Sequence, residues 1–243
     1  MVGELVFSMR YLDDLNYRVR ATIKTSFLAR HLYPRFYSQT GEDAIVIQYF
    51  GKVKGTYLDI GSGRPIWYSN TYFLYLKGWR GILVDPISKN IFHSKVARPR
   101  DVSICAAISD SSSDSVFFEF DPPEYSTFNI QTATSLQAAG VKLKSQKKLR
   151  LTTISDLSLN IPTKKPLLIN IDTEGFEFAI LKSIFDLDLR PDMILVEEHV
   201  SPILKATAIQ EFLKLRNFYL HAYTGLTSIY VQDIHLDKIV VKQ

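Results

Sequence analysis

The chain has 243 residues, of which 46% are hydrophobic, 22% charged and 12% aromatic, and these proportions exclude disordered and collagen-like chains. Its 29 Lys and Arg residues exceed its 25 Asp and Glu residues only slightly, so the charge does not indicate a nucleic-acid partner. A chain of this length is expected to form one α/β domain, and its single cysteine, Cys105, excludes an internal disulfide bond.

The hydropathy of the chain favours a soluble, cytoplasmic protein. No stretch reaches the roughly 18 apolar residues that a membrane-spanning helix needs. The first residues lack the basic start, apolar middle and small-residue cleavage site of a signal peptide. The sequence does not fix the oligomeric state, and a homo-oligomer is compatible with it.

The predicted elements begin after an N-terminal extension, residues 1–37, and we assign the domain to residues 38–243. The stretch SQTGEDAIVIQYF predicts a helix that begins with a Ser/Thr and Glu capping box. GTYLDIGSG then predicts a strand that opens into glycines, SNTYFLYLKGW a helix and GILVDP a second strand. Two apolar strands that flank a helix indicate a βαβ unit.

The second half repeats the alternation. VSICAAIS and VFFEF predict strands, and the polar stretch 121–150 is a candidate substrate lid. Five basic residues in that stretch indicate either a solvated face or a site for a phosphorylated or acidic substrate. LLINID and MILVEEH predict strands followed by helices, and FYLHAYT and SIYVQ predict two final strands. The pattern predicts a mostly parallel sheet, helices on both faces and an antiparallel edge strand.

Carboxylates stand at the ends of four predicted strands, at Asp59, Asp85, Asp172 and the pair Glu197 and Glu198. In an open α/β sheet the ligand binds beyond the carboxyl ends of the strands. A buried row of carboxylates is unfavourable unless it meets hydrogen-bond donors. We therefore expect a ligand, backbone groups or a metal ion at this edge.

The turn Gly61, Ser62, Gly63 allows a ligand to approach the backbone closely, because glycine has no Cβ. Asp85 follows about 20 residues later, where an acid accepts hydrogen bonds from ribose hydroxyls. The dinucleotide pattern G-x-G-x-x-G lacks its third glycine here. Asp59 would repel a pyrophosphate but suits the cationic amino group of a methionine moiety, directly or through water.

Four blocks of the sequence resemble the FkbM-type methyltransferases, a branch of the class I S-adenosylmethionine-dependent enzymes. They are SQTGEDAIVIQYF, GTYLDIGSGRPIWYSNTYFLYLKGWRGILVDP, AAISD and LLINIDTEGFEFAILKSI, in the same order and at similar spacing. The resemblance implies a Rossmann-like class I methyltransferase sandwich, S-adenosylmethionine as donor, and a small-molecule or saccharide acceptor that is methylated on a hydroxyl.

The resemblance also implies roles for particular residues. Asp59, Gly61 and Gly63 would line the methionine half of the cofactor, Asp85 the ribose, and the segment 106–110, with Ala107, the adenine. Family members often carry Ala-Asn after the first glycine, where this chain has Ser62 and Gly63, so the fine contacts differ there.

O-methylation requires the acceptor hydroxyl to lose its proton, so a base or a metal ion is expected beside the methyl group. His199 is the first candidate base, and Asp172 and Glu198 are further catalytic candidates. Alternatively Asp172 with Glu197 or Glu198 shares Mg²⁺. Gln39 and Asn70 either line the cofactor pocket or make turn hydrogen bonds.

Two other functions stay open at this point. A nucleotide-dependent oxidoreductase is disfavoured by the missing third glycine and by Asp59. A catalytically silent Rossmann-like binding module is disfavoured by the intact carboxylates. The residues do not identify the acceptor.

Overall fold

The computed structural model describes residues 36–157, 166–173, 175–198 and 200–232. The N-terminal extension, apart from its last two residues, lies outside the described part, and so does His199. In chain order the elements are α1 (Glu42–Phe50), β1 (Thr56–Ile60), α2 (Tyr72–Leu76), β2 (Arg80–Asp85), α3 (Ser88–Ala97), β3 (Val102–Cys105), β4 (Ala107–Ile108), β5 (Asp114–Asp121), a 3₁₀ turn (Pro123–Tyr125), α4 (Ile130–Ala138), β6 (Lys142–Thr152), β7 (Leu167–Ile171), α5 (Glu177–Asp186), β8 (Met193–Glu197), α6 (Ala208–Lys214), β9 (Phe218–Tyr223) and β10 (Thr227–Gln232).

Seven strands form the central sheet in the order β3-β2-β1-β7-β8-β10-β9. Five neighbouring strands, from β3 to β8, are parallel, and β10 runs antiparallel to both β8 and β9. The predicted fold class is therefore confirmed. The reversed strand lies one position in from the edge, because β10 returns from the edge strand β9 through a short turn and pairs with β8.

The two faces of the sheet carry separate cores, because successive side chains of a strand point to opposite sides. Tyr57 of β1 packs with α1 and α2 on one face. Leu58 and Ile60 pack with α5 and α6 on the other. The position of a residue in the alternation along its strand thus decides which face of the sheet, and which helices, its side chain points toward.

The predicted capping box at the start of α1 is wrong. Gly41 is the N-cap residue, with a φ of 95° and no side-chain cap. The carboxylate of Asp43 instead accepts hydrogen bonds from the backbone N–H of Tyr37 (2.6 Å) and from the Ser38 hydroxyl (2.7 Å). The Ser38 hydroxyl also accepts a hydrogen bond from the N–H of Asp43 (3.3 Å), so Ser38 bonds to the first turn of α1 although Gly41 occupies the N-cap position.

The predicted lid, residues 121–150, consists largely of regular structure rather than a loop. β5 and β6 pair antiparallel along most of their length, and the 3₁₀ turn and α4 connect them. On β6 Lys144 and Lys147 bind Glu119, and Lys148 lies 3.0 Å from Asp114. These three lysines of the basic cluster therefore form ion pairs of the hairpin, as expected for a solvated face.

No helix among the described residues is long and apolar enough to span a membrane.

Candidate active site

A cavity of about 620 Å³ lies at the carboxyl ends of β1, β2, β7 and β8. Residues between β5 and α4 line its opposite side, so the inserted hairpin, which runs from β5 to β6 (residues 114–152), covers it. Of the residues singled out from the sequence, the following line this cavity: Gln39, Gly61, Ser62, Gly63, Asp85, Ala107, Asp172 and Glu197.

The turn after β1 is pressed against the backbone of the neighbouring strand. Gly61 has a φ of 78°, and a Cβ at this position would lie 1.5 Å from the carbonyl oxygen of Asp172. The N–H groups of Gly61 and Ser62 both donate to the carbonyl of Val84, at 2.8 and 3.0 Å. Ser62 lines the cavity, and its buried hydroxyl makes no hydrogen bond within the described part of the chain. This turn thus forms part of the cavity wall, with the hydroxyl of Ser62, unsatisfied by the described residues, buried in it.

Asp85 lines the cavity beside the turn. One carboxylate oxygen accepts hydrogen bonds from the N–H of Ile87 (2.8 Å) and the amide of Asn90 (3.1 Å), and the other accepts from the N–H of Gly63 (2.9 Å). Burial raises the pKa of Asp85 to about 7, even though these three donors favour the ionised form. The carboxylate is therefore fixed in direction and close to its titration point at neutral pH.

Asp59 does not line the cavity, contrary to the expectation from the resemblance. β1 continues to Ile60, so the Asp59 side chain points to the face that α2 covers. It accepts hydrogen bonds from the Thr71 hydroxyl and from the amide of Asn170 (2.9 Å). Asn70, also predicted to line the pocket, instead donates to Asn170 (3.0 Å). Neither Asp59 nor Asn70 lines the cavity, and both bind the side chain of Asn170 in β7.

Arg98, which the sequence did not single out, lies behind Asp59 and is fully buried. Its guanidinium binds Asp101 (2.8 Å), the hydroxyl of Tyr57 (2.7 Å) and the hydroxyl of Thr71 (3.1 Å). Thr71 in turn donates to Asp59. An arginine is seldom buried, and no feature of the local sequence distinguishes this one from the exposed basic residues near it. Its burial follows from the packing of α2 and α3 on the sheet.

Asp172 and Glu197 form an acidic pair on the cavity wall. β7 and β8 are parallel neighbours with Ile171 opposite Val196, so the next residue of each strand falls side by side. The two carboxyl groups are hydrogen-bonded to each other. Burial, and then the charge and hydrogen bond of Glu197, raise the pKa of Asp172 well above its ordinary value. The pair therefore favours the protonated form of Asp172 over the ionised form.

Glu198 points away from the cavity, because consecutive residues alternate in direction at the end of β8. It accepts hydrogen bonds from the Thr207 hydroxyl and from the hydroxyl of Tyr230 (2.8 Å). The structure therefore does not place Glu198 at the cavity, where its predicted catalytic and metal-binding roles would require it. The described residues contain no group of three or more His, Cys, Asp or Glu arranged to hold a metal ion, so they do not support the expected Mg²⁺ site.

Comparison with known proteins decides the family. A family model described as the methyltransferase FkbM domain matches residues 59–224, which is more than half of the chain. The chain belongs to the FkbM methyltransferase family. A crystal structure of a methyltransferase from Geobacter sulfurreducens is similar over 93% of this chain and 96% of that chain, with a TM-score of 0.40 and 8% identity. No curated protein matches the sequence.

The cavity of this methyltransferase has an ion pair at its mouth. Arg64, next to the glycine turn, binds Glu124 of the inserted hairpin, and the Arg64 guanidinium lies 5.8 Å from the ring centre of Tyr68. Tyr68 and Tyr125 line the cavity and are about half exposed. These contacts join the hairpin to the turn after β1, and sequence analysis missed the pair because its members are about 60 residues apart.

Proposed function

We propose that this FkbM-family methyltransferase transfers a methyl group from S-adenosylmethionine to a hydroxyl of a small molecule or saccharide. The observation that carries the proposal is the position of Asp85 at the cavity, beside a glycine turn. A carboxylate at the end of the second strand, anchored next to such a turn, is suited to accept hydrogen bonds from two ribose hydroxyls.

The cavity residues fit this cofactor. The buried Ser62 hydroxyl lacks a partner in the described chain, and a ligand in the cavity would supply one. Ala106, Ala107 and Ile108 give the cavity an apolar wall near Asp85, which suits the flat face of an adenine. Bound there, S-adenosylmethionine supplies an electrophilic methyl group.

The other side of the cavity suits an acceptor. Residues 122–126 and Phe128 of the inserted hairpin face the strand ends, so an acceptor held between them is partly shielded from water. The acidic pair Asp172 and Glu197 lies on the strand side and can take up the proton of a hydroxyl. This arrangement favours O-methylation over a reaction that needs no proton acceptor.

The proposal is tested by calorimetric titration of the purified protein with S-adenosylhomocysteine, and with NADH as the comparison ligand. We expect selective binding of S-adenosylhomocysteine. Asp85→Asn should weaken it about 5- to 150-fold, the equivalent of losing about 1–3 kcal/mol of charge-assisted hydrogen bonding. Glu198→Gln is the matched control, because it removes a buried carboxylate that faces away from the cavity.

Other results would point to the alternative functions. Preference for NADH would favour an oxidoreductase and overturn the proposal. Tight binding of S-adenosylhomocysteine without methyl transfer to any member of a hydroxyl-bearing acceptor panel would favour a silent binding module. Unchanged affinity of Asp85→Asn would remove Asp85 from the site.

A further inference from the structure

We infer that Asp172 and Glu197 act together as the proton acceptor for the acceptor's hydroxyl, and that the charge of the bound methyl donor sets their affinity for a proton. The inference rests on the proposed function.

The position of the pair supports this role. Both residues line the cavity, and they lie side by side where the parallel strands β7 and β8 end. The turn at Gly61 packs directly on the carbonyl of Asp172, so the pair adjoins the segment that would hold the cofactor. Ser62, which is only 6% exposed and has no hydrogen-bond partner in the described chain, lines the same cavity. A ligand that satisfies Ser62 thus lies close to the acidic pair.

The surroundings of the pair are acidic. Glu177 of α5 and Asp59 of β1 both raise the proton affinity of Asp172. The other described charged residues of the cavity wall are Asp85, which binds three donors, and Arg64 and Glu124, which pair with each other. Within the described cavity wall the cation Arg64 is therefore already engaged. A cationic ligand is the group best able to ionise the pair.

The sulfonium of S-adenosylmethionine is such a cation. A positive charge beside two carboxyl groups favours their ionised form, so binding of the cation favours release of a proton from the pair. The acceptor oxygen then forms a bond to the methyl carbon while the methyl–sulfur bond breaks. The electron pair of the broken bond stays on sulfur. The hydroxyl proton of the acceptor passes to Asp172 and Glu197. Because the sulfonium charge disappears in the same step, the affinity of the pair for a proton rises as the proton arrives.

Proton linkage in binding tests the inference without an acceptor. S-adenosylmethionine and S-adenosylhomocysteine differ by one methyl group and its positive charge, so the pair should release a proton only for the former. Titration calorimetry at pH 7, in buffers of different ionisation enthalpy, measures the protons released by each ligand. We expect S-adenosylmethionine to release about 0.5–1 proton more per site. Asp85 meets the same ribose in both ligands, so its contribution cancels in the difference.

Two variants and one control test whether the acidic pair causes the difference in proton release between the two ligands. Asp172→Asn and Glu197→Gln should each abolish it while both ligands still bind, and Glu198→Gln should leave it unchanged. Equal proton release for the two ligands in the wild type, with both bound, overturns this inference and leaves the proposed cofactor intact. A difference that persists in both variants overturns it as well. If neither ligand binds the wild type, the proposed function itself fails.

Discussion

Replacement of Gly61 with alanine should destabilise the protein through two separate effects. The backbone at Gly61 has a φ of 78°, a left-handed conformation that costs a residue with a Cβ about 1–2 kcal/mol. The new Cβ would also lie 1.5 Å from the oxygen and 2.6 Å from the carbon of the Asp172 carbonyl group, so the turn or β7 must move. Overpacking of this kind costs about 1–3 kcal/mol. We expect a total loss of about 2–5 kcal/mol in the free energy of unfolding.

Gly63→Ala separates the two effects. Gly63 has a φ of 53°, but the nearest atom to its Cβ would be 4.0 Å away, so only the backbone cost of about 1–2 kcal/mol applies. Urea denaturation of both variants measures the two losses. Equal destabilisation of Gly61→Ala and Gly63→Ala would refute the argument, because it would mean that the close approach to Asp172 has no energetic consequence.

Three further predictions concern charged groups. Burial raises the pKa of Asp85 from 3.8 to about 7 in the folded protein, so the folded state binds more protons than the unfolded state between these values. Stability should therefore fall as the pH rises from about 4 to 7, and urea denaturation at pH 5 and 8 should show a smaller decline for Asp85→Asn. Arg98→Met leaves a buried carboxylate and phenol without their cation and should lower the free energy of unfolding by about 3–5 kcal/mol in the same assay. Burial would raise the pKa of Glu119, but Lys144 and Lys147 outweigh it and lower this pKa to about 2. The stability that the ionised form of Glu119 contributes is therefore present above about pH 4.5 and is lost as the pH falls toward 2. Acid denaturation followed by circular dichroism should show the advantage of wild type over Glu119→Gln disappear across this range.

Each of these three has a contrary outcome. Parallel pH profiles for the wild type and Asp85→Asn would mean that this carboxylate is ionised across the range. A loss below about 1 kcal/mol for Arg98→Met would mean that its partners find water or other donors. A pH-independent difference for Glu119→Gln would assign the role of Glu119 to packing rather than to its charge.

The sequence was sufficient for the mostly parallel sheet and for the side of the cavity formed by the glycine turn and Asp85. The apolar runs of β2, β7 and β8 are long enough to predict buried parallel strands, because both faces of such strands are covered. Gly61, Gly63 and Asp85 follow from the same local pattern, since they stand in the turn after β1 and at the end of β2. A parallel sheet brings strand ends to one edge, so these residues meet whatever the rest of the fold does.

Long-range packing decided the rest. The contact of Arg98 with Thr71 and the ion pair between Arg64 and Glu124 join segments that are far apart in the sequence. The inserted hairpin also depends on long-range pairing. The polar sequence of β6 is typical of a loop, and β6 forms a strand because it pairs with β5. No local pattern of residue types encodes these partners.

The difference between what the sequence determined and what the tertiary structure decided is clearest for the carboxylates. The sequence placed Asp59, Asp172, Glu197 and Glu198 near strand ends, but only two of the four line the cavity. Side chains alternate in direction along a strand, so a shift of one residue in the predicted end reverses the face to which an acid points. Composition and spacing determined that acids gather at this edge. Tertiary structure decided which of them reach the cavity, because the strand ends and the covering helices are set by packing.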